Sequence, residues 1–135
     1  MSNVVEGELM NWAKTTNYNG PIGITVKFPV IDSEVSNFQT IYQKNHDFAK
    51  SQEGCKVFKM NQDFKSHSCF WLVEEWDSIA AWKTYLLSEE RSTNAKALMP
   101  MMEEPPHLAV YKIGSRLPQN RSGKFSYGHC STHAN

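Results

Sequence analysis

Residues 68–82 read Ser68-Cys-Phe-Trp-Leu-Val-Glu-Glu-Trp-Asp-Ser-Ile-Ala-Ala-Trp82, and the meaning of the apolar positions changes within them. Alternation places Phe70 and Leu72 on one side of a strand and Trp71 and Val73 on the other. Both sides are apolar, so both faces of this strand call for cover. Asp77-Ser78 is then a helix-start pair ahead of Ile79, Trp82 and Leu86, which recur at helical spacing. A strand buried on both sides that runs straight into a capped helix is the decisive unit of the chain.

Working outward, Ile22–Val30 is rich in Ile, Thr, Val and Phe and predicts a first strand, with Pro29 marking an edge or bulge. Asp32-Ser33-Glu34 predicts a helix start. Val35, Phe38, Tyr42, Asn45 and Ala49 follow at helical spacing, and Gly54 is expected as the C′ residue. Cys55–Met60 predicts a second strand and Asn61–His67 a hairpin loop before the third. The second helix is expected to continue past a break near Ser88 through Ala95, Leu98 and Met102, with Pro100, Pro105 and Pro106 ending it. His107–Ile113 predicts a fourth strand. The order β-α-β-β-α-β with right-handed crossovers gives an α+β, ferredoxin-like plait, a four-stranded antiparallel sheet with two helices on one face. The apolar second face of the third strand then predicts a homodimer.

The flanks differ in character. Residues 1–21 form a leader, in which Val5, Leu9, Trp12 and Ala13 suit a short amphipathic helix broken at Asn17–Pro21. Residues 114–135 form an arm of Gly, Ser, Pro and Asn with three cations and no acid. Before it stand eleven cations against fourteen acids, within a chain of 135 residues and net charge zero. This balance gives no bulk attraction to nucleic acid or to an anionic membrane. No apolar run spans a membrane and no signal peptide is visible. Three cysteines without CxxC spacing suit buried free thiols in a reducing compartment, so a cytoplasmic protein is expected. Leu117, Phe125 and Tyr127 suggest an arm that wraps a partner subunit. His129, Cys130 and His133 lack a fourth metal ligand in a set position, and no metal site is expected.

Three stretches carry a resemblance. They are Ile24-Thr-Val-Lys-Phe-Pro-Val30 with Phe38 following, Gln52-Glu-Gly-Cys-Lys-Val-Phe58, and Glu74-Glu-Trp-Asp-Ser-Ile-Ala-Ala-Trp82. Over residues 22–113 they resemble the antibiotic biosynthesis monooxygenase family of dimeric α+β barrels. Its E-x-W-x-S-x-x-A run corresponds to Glu74, Trp76, Ser78 and Ala81. The family's usual His nine residues after the Trp is Tyr85 here, with Ser88 keeping the register. Haem-degrading relatives bind iron through a His late in the second helix. This chain has no His between His67 and His107, so no haem and no other cofactor is expected.

The resemblance implies oxygenation of a quinol, anthrone or polyketide-like aromatic by dioxygen without metal or flavin. Such chemistry needs an apolar slot, a proton acceptor and donors to a developing oxyanion. Trp76 is either an indole donor to substrate or an anchor of the second helix, the commoner role. Tyr85 either orients and reprotonates substrate or packs. His46 is a base in an ordered helix, or an exposed His between that helix's apolar rows. Glu74, if inside, is a base with a raised pKa or one half of an ion pair, and the ion pair is expected. Phe70, Leu72, Trp82 and Met99 complete the candidate substrate contacts, with Leu98, Met101 and Met102 as core or interface neighbours. The same scaffold would also suit an isomerase or cyclase acting on a small carbonyl compound, or a dimer that only binds a ligand.

Overall fold

A computed structural model describes residues 4–114, with side chains from Leu9 onward. Helix α1 (Val4–Thr15) precedes strand β1 (Ile22–Pro29), and a short 3-10 turn at Asp32–Glu34 leads into α2 (Val35–Lys50). Strands β2 (Cys55–Gln62) and β3 (Cys69–Trp76) form a hairpin. Helices α3 (Ile79–Leu86) and α4 (Glu89–Leu98), a 3-10 turn at Met99–Met101 and β4 (His107–Lys112) complete the order. The sheet runs β2-β3-β1-β4 with every neighbouring pair antiparallel. It is the expected ferredoxin-like plait.

Register places the site. Ile22, Ile24, Val26 and Phe28 of β1 lie opposite Trp76, Glu74, Leu72 and Phe70 of β3. Because alternate residues share a face, these eight point at the helices, and every one of them is buried. Phe38 of α2 packs on this face, with ring centroids 5.5 Å from Phe28 and 5.0 Å from Phe70. Phe70 is therefore part of an aromatic core.

Several local expectations are corrected. Asp32, Ser33 and Glu34 form the 3-10 turn and no side chain caps α2; Glu34 instead accepts a hydrogen bond from Asn37 at 3.0 Å. Gly54 is not the C′ residue, since α2 ends at Lys50 with Ser51 as its cap. Its φ of 88° and an Ala81 methyl 2.6 Å from where a Cβ would stand reserve the site for glycine, beside the first turn of α3. The second strand runs two residues further than expected, to Gln62. The break near Ser88 is a full restart, for the Ser88 hydroxyl accepts from the Arg91 N–H and caps α4. Ser78 caps α3 in the same way. After α4 the chain is tied to the end of β1, where Ile31 and Glu103 donate backbone hydrogen bonds to Met101 and Pro29.

Cys55 is half-buried and Cys69 buried, and both are free thiols. Among the described residues no helix is long and apolar enough to cross a membrane, and no cluster of His, Cys, Asp and Glu could hold a metal ion. The arm's Leu117, Phe125, Tyr127, His129, Cys130 and His133 lie outside the described residues.

Candidate active site

The sheet, α1, α2 and the α3–α4 pair line a partly open cavity of about 90 Å³. Ile24, Val26, Leu72 and Leu108 form an apolar floor, and Leu9, Trp82, Leu86, Leu98 and Met99 form the walls. Four polar groups interrupt this lining: Glu74, Tyr85, Asn45 and Arg91. A small cavity with few converging polar groups is the form a specific site takes.

Glu74 reaches it because its position on β3 belongs to the buried face. Its Oε1 accepts a hydrogen bond of 2.9 Å from the Trp76 indole, two residues along on the same face. Loss of water pushes the carboxyl up to about 7, against the opposing pull of the Trp76 hydrogen bond and the Arg91 charge. The positive charge that acts on Glu74 is that of Arg91, a cation as the sequence led one to expect. The indole hydrogen bond and the Arg91 charge together do not outweigh the loss of water, which leaves the carboxyl poised near neutrality.

Tyr85, on α3, is buried, and its ring stacks on Trp76 with centroids 4.9 Å apart. Its hydroxyl accepts from the Asn45 amide at 2.8 Å and makes a second side-chain hydrogen bond with Arg91. The Asn45 carbonyl in turn accepts from the buried Asn94 amide of α4 at 3.2 Å. Burial first, and the nearby Glu74 charge second, hold the phenol well above its ordinary range, so it stays protonated. Asn45 and Arg91 both donate to the oxygen, which leaves the phenolic hydrogen to be given to an occupant of the cavity.

The remaining candidates divide. Leu72, Trp82 and Met99 line the cavity, and so does Leu98. Trp76 does not; it lies behind Glu74, fully buried, with its N–H engaged by that carboxylate. Phe70 sits in the Phe38 cluster, away from the cavity. His46 is on the outer part of α2, its ring nitrogen 3.2 Å from Asp47, and it does not reach the cavity. Met101 and Met102 pack at the edge of the core. Asn45, Arg91 and Leu9 line the cavity without having been expected as site residues. Asn45 had a signal, for it is the polar residue in the apolar row Val35, Phe38, Tyr42 and Ala49.

Comparison with known proteins comes down on one scaffold. A family model described as antibiotic biosynthesis monooxygenase matches residues 21–96. A Caulobacter crescentus structure, provisionally described as such a monooxygenase, superposes with a TM-score of 0.69 at 17% identity, covering 72% of this chain and 92% of its own. A Nitrosomonas europaea structure with the same provisional description gives 0.68 at 16%, covering 73% and 94%. SnoaB from Streptomyces nogalater, described as a cofactor-independent oxygenase, gives 0.64 at 14%, covering 73% and 98%. At these identities the likeness is one of fold. No curated protein matches the chain.

Proposed function

Since the chain belongs to the antibiotic biosynthesis monooxygenase family, we propose that its cavity oxygenates a quinol, anthrone or polyketide-like aromatic with dioxygen, with Glu74 as the base. The observation that carries this reading is the buried Glu74 carboxyl on the cavity wall, held by Trp76 and raised to about 7. A base near the working pH is what abstraction of a weakly acidic phenol or benzylic proton requires.

The steps follow from the residues present. A substrate proton moves to the Glu74 carboxylate, and the Tyr85 hydroxyl donates to the oxyanion that forms, with Arg91 adding positive charge beside it. The electron-rich anion gives one electron to dioxygen, and the two radicals combine in a new carbon–oxygen bond. The peroxide takes up the proton held by Glu74. Its O–O bond then breaks, a carbonyl is left on the substrate, and the second oxygen leaves as water with two substrate hydrogens. Trp76 is a positioning residue, acting through Glu74. The apolar floor and walls keep the anion away from bulk water.

The same base and donor would also move protons on a small carbonyl compound without dioxygen. Turnover that persists anaerobically would assign that isomerase chemistry instead. The decisive experiment is oxygen uptake by metal-stripped protein with a panel of quinols and anthrones. The expected result is uptake above the spontaneous rate that Glu74→Gln abolishes. Uptake unaffected by that substitution would remove Glu74 from the mechanism, and a panel without uptake would leave the isomerase and ligand-binding readings.

The second face of the sheet supports a homodimer. Trp71 and Val73 of β3 are half-buried there, beside Thr25 and Tyr111, whose hydroxyls are 2.9 Å apart. A second copy covering this face would bury them. Val73→Glu is expected to yield monomers in sedimentation, and a wild type that sediments as a monomer would end this assignment.

A further inference from the structure

We infer that α1, which lies before the family-matched residues 21–96, is the wall that restricts the cavity to compact substrates of one six-membered ring, with Leu9 setting the limit. The inference rests on the cavity being the substrate site, and it narrows the substrate to a single-ring quinol or phenol. Fused-ring anthrones and polyketides are then excluded by size.

Three observations converge. The first is volume. About 90 Å³ is small beside the roughly 300 Å³ at which sites for larger ligands begin. It is below even the roughly 150 Å³ of a cavity that admits benzene, so one ring, with some yielding of the walls, is the upper limit. The second is the identity of the wall. Leu9 lines the cavity and is 8% exposed, while Ala13, one turn further along, is 3% exposed. The third is how firmly α1 is seated. Trp12 meets Trp82 edge to face, with ring centroids 6.0 Å apart and planes at 62°, and Trp82 is itself a cavity wall. Edge-to-face pairs of large aromatics add to simple area burial. The solved relatives described above are covered over 92–98% of their own lengths by 72–73% of this chain. The family-matched residues 21–96 begin after α1, so Leu9 is a wall that stands outside them.

Anaerobic calorimetry with phenol, 1-naphthol and anthrone tests the inference, using the full chain and its Leu9→Val, Leu9→Ala and Leu9→Phe variants. The expected wild type binds phenol at least tenfold more tightly than either fused-ring probe, against the usual gain in affinity with apolar area. Leu9→Ala should narrow or reverse that ratio by tenfold or more, Leu9→Val should do so partly, and Leu9→Phe should weaken phenol. The milder Leu9→Val decides the matter if Leu9→Ala does not fold. Wild-type binding of naphthol or anthrone as tight as phenol overturns the inference, as does a ratio indifferent to Leu9 or no binding of any probe. Binding without dioxygen is independent of turnover. Failed oxygen uptake would therefore leave the size limit standing, and oxygenation of anthrone by the wild type would refute the limit while keeping the oxygenase reading.

Discussion

Two tryptophans of β3, one on each face of the sheet, each donate to a carboxylate. Trp76 donates to Glu74 on the helix-covered face and Trp71 donates to Asp63 on the other, and both hydrogen bonds are 2.9 Å long. The two carboxyls nonetheless move in opposite directions. The Trp71 indole, joined by the backbone N–H groups of Lys65 and Ser66, holds Asp63 below the usual carboxylate range. Glu74 is pushed up to about 7. Asp63 is open to water, so the hydrogen bonds to its charged form decide the result. Glu74 has lost that water, and one indole N–H does not replace it. The same bond thus makes a turn brace on one face and a candidate base on the other.

Removing the buried carboxylate should have the largest consequence. Glu74→Gln keeps an oxygen for the Trp76 N–H but cannot accept a proton, and kcat/KM is expected to fall by about 10²–10⁴-fold. A smaller loss in steady-state oxygen uptake would mean that another group takes the proton.

Stability should respond with the opposite sign to activity. Glu74 binds its proton more tightly in the fold than in the unfolded chain, so its contribution is fully present below about 4.5 and is lost as pH rises towards 7. Unfolding free energy should therefore fall across that window by up to roughly 3 kcal/mol. The rate should rise through the upper part of the same window, as the base ionises. Denaturant melts of the wild type and of Glu74→Gln at pH 4.5 and 8 check this. Equal pH slopes in the two proteins would show that Glu74 is not the titrating group.

Trp76→Phe should cost less, several-fold in rate at neutral pH, because it acts through the carboxyl. Losing the indole removes a bond that favours the ionised form, so the pH–rate profile should move to higher pH. An unmoved profile would reduce Trp76 to packing. Trp71→Phe is the matched control and should have the smallest effect. Asp63 keeps its two backbone donors, and the pH–rate profile should coincide with that of the wild type. A displaced profile would mean that the two faces communicate.

Much of the scaffold could be read from local pattern. The alternation through Phe70–Val73, the Ser78 cap and the break at Ser88 each depend on residues a few positions apart, and all three appear in the structure. Mistakes arose where a local signal had two uses. Asp32–Glu34 has the composition of a cap and forms a 3-10 turn, and Gly54 has the look of a helix end and serves a close contact with Ala81. In the candidate site, Leu72, Trp82, Tyr85 and Met99 were legible as apolar-face residues. Asn45 stood in the inward row of α2 but as a polar residue, and Arg91 had no signal, because polar residues on helices are ordinarily solvated and nothing nearby in sequence marks it as inward.

By itself the sequence determined the order of strands and helices, the apolar character of both faces of β3 and the placing of Glu74 and Trp76 together on one of them. Each of these follows from short-range periodicity, a property of the chain's own geometry. Only the tertiary structure decided what that face becomes. It brings Asn45 to Tyr85 across 40 residues and Asn94 to Asn45 across 49. It also lays Leu9 over the cavity and removes the water from Glu74. Desolvation is set by everything that surrounds a group, and no spacing along the chain encodes it.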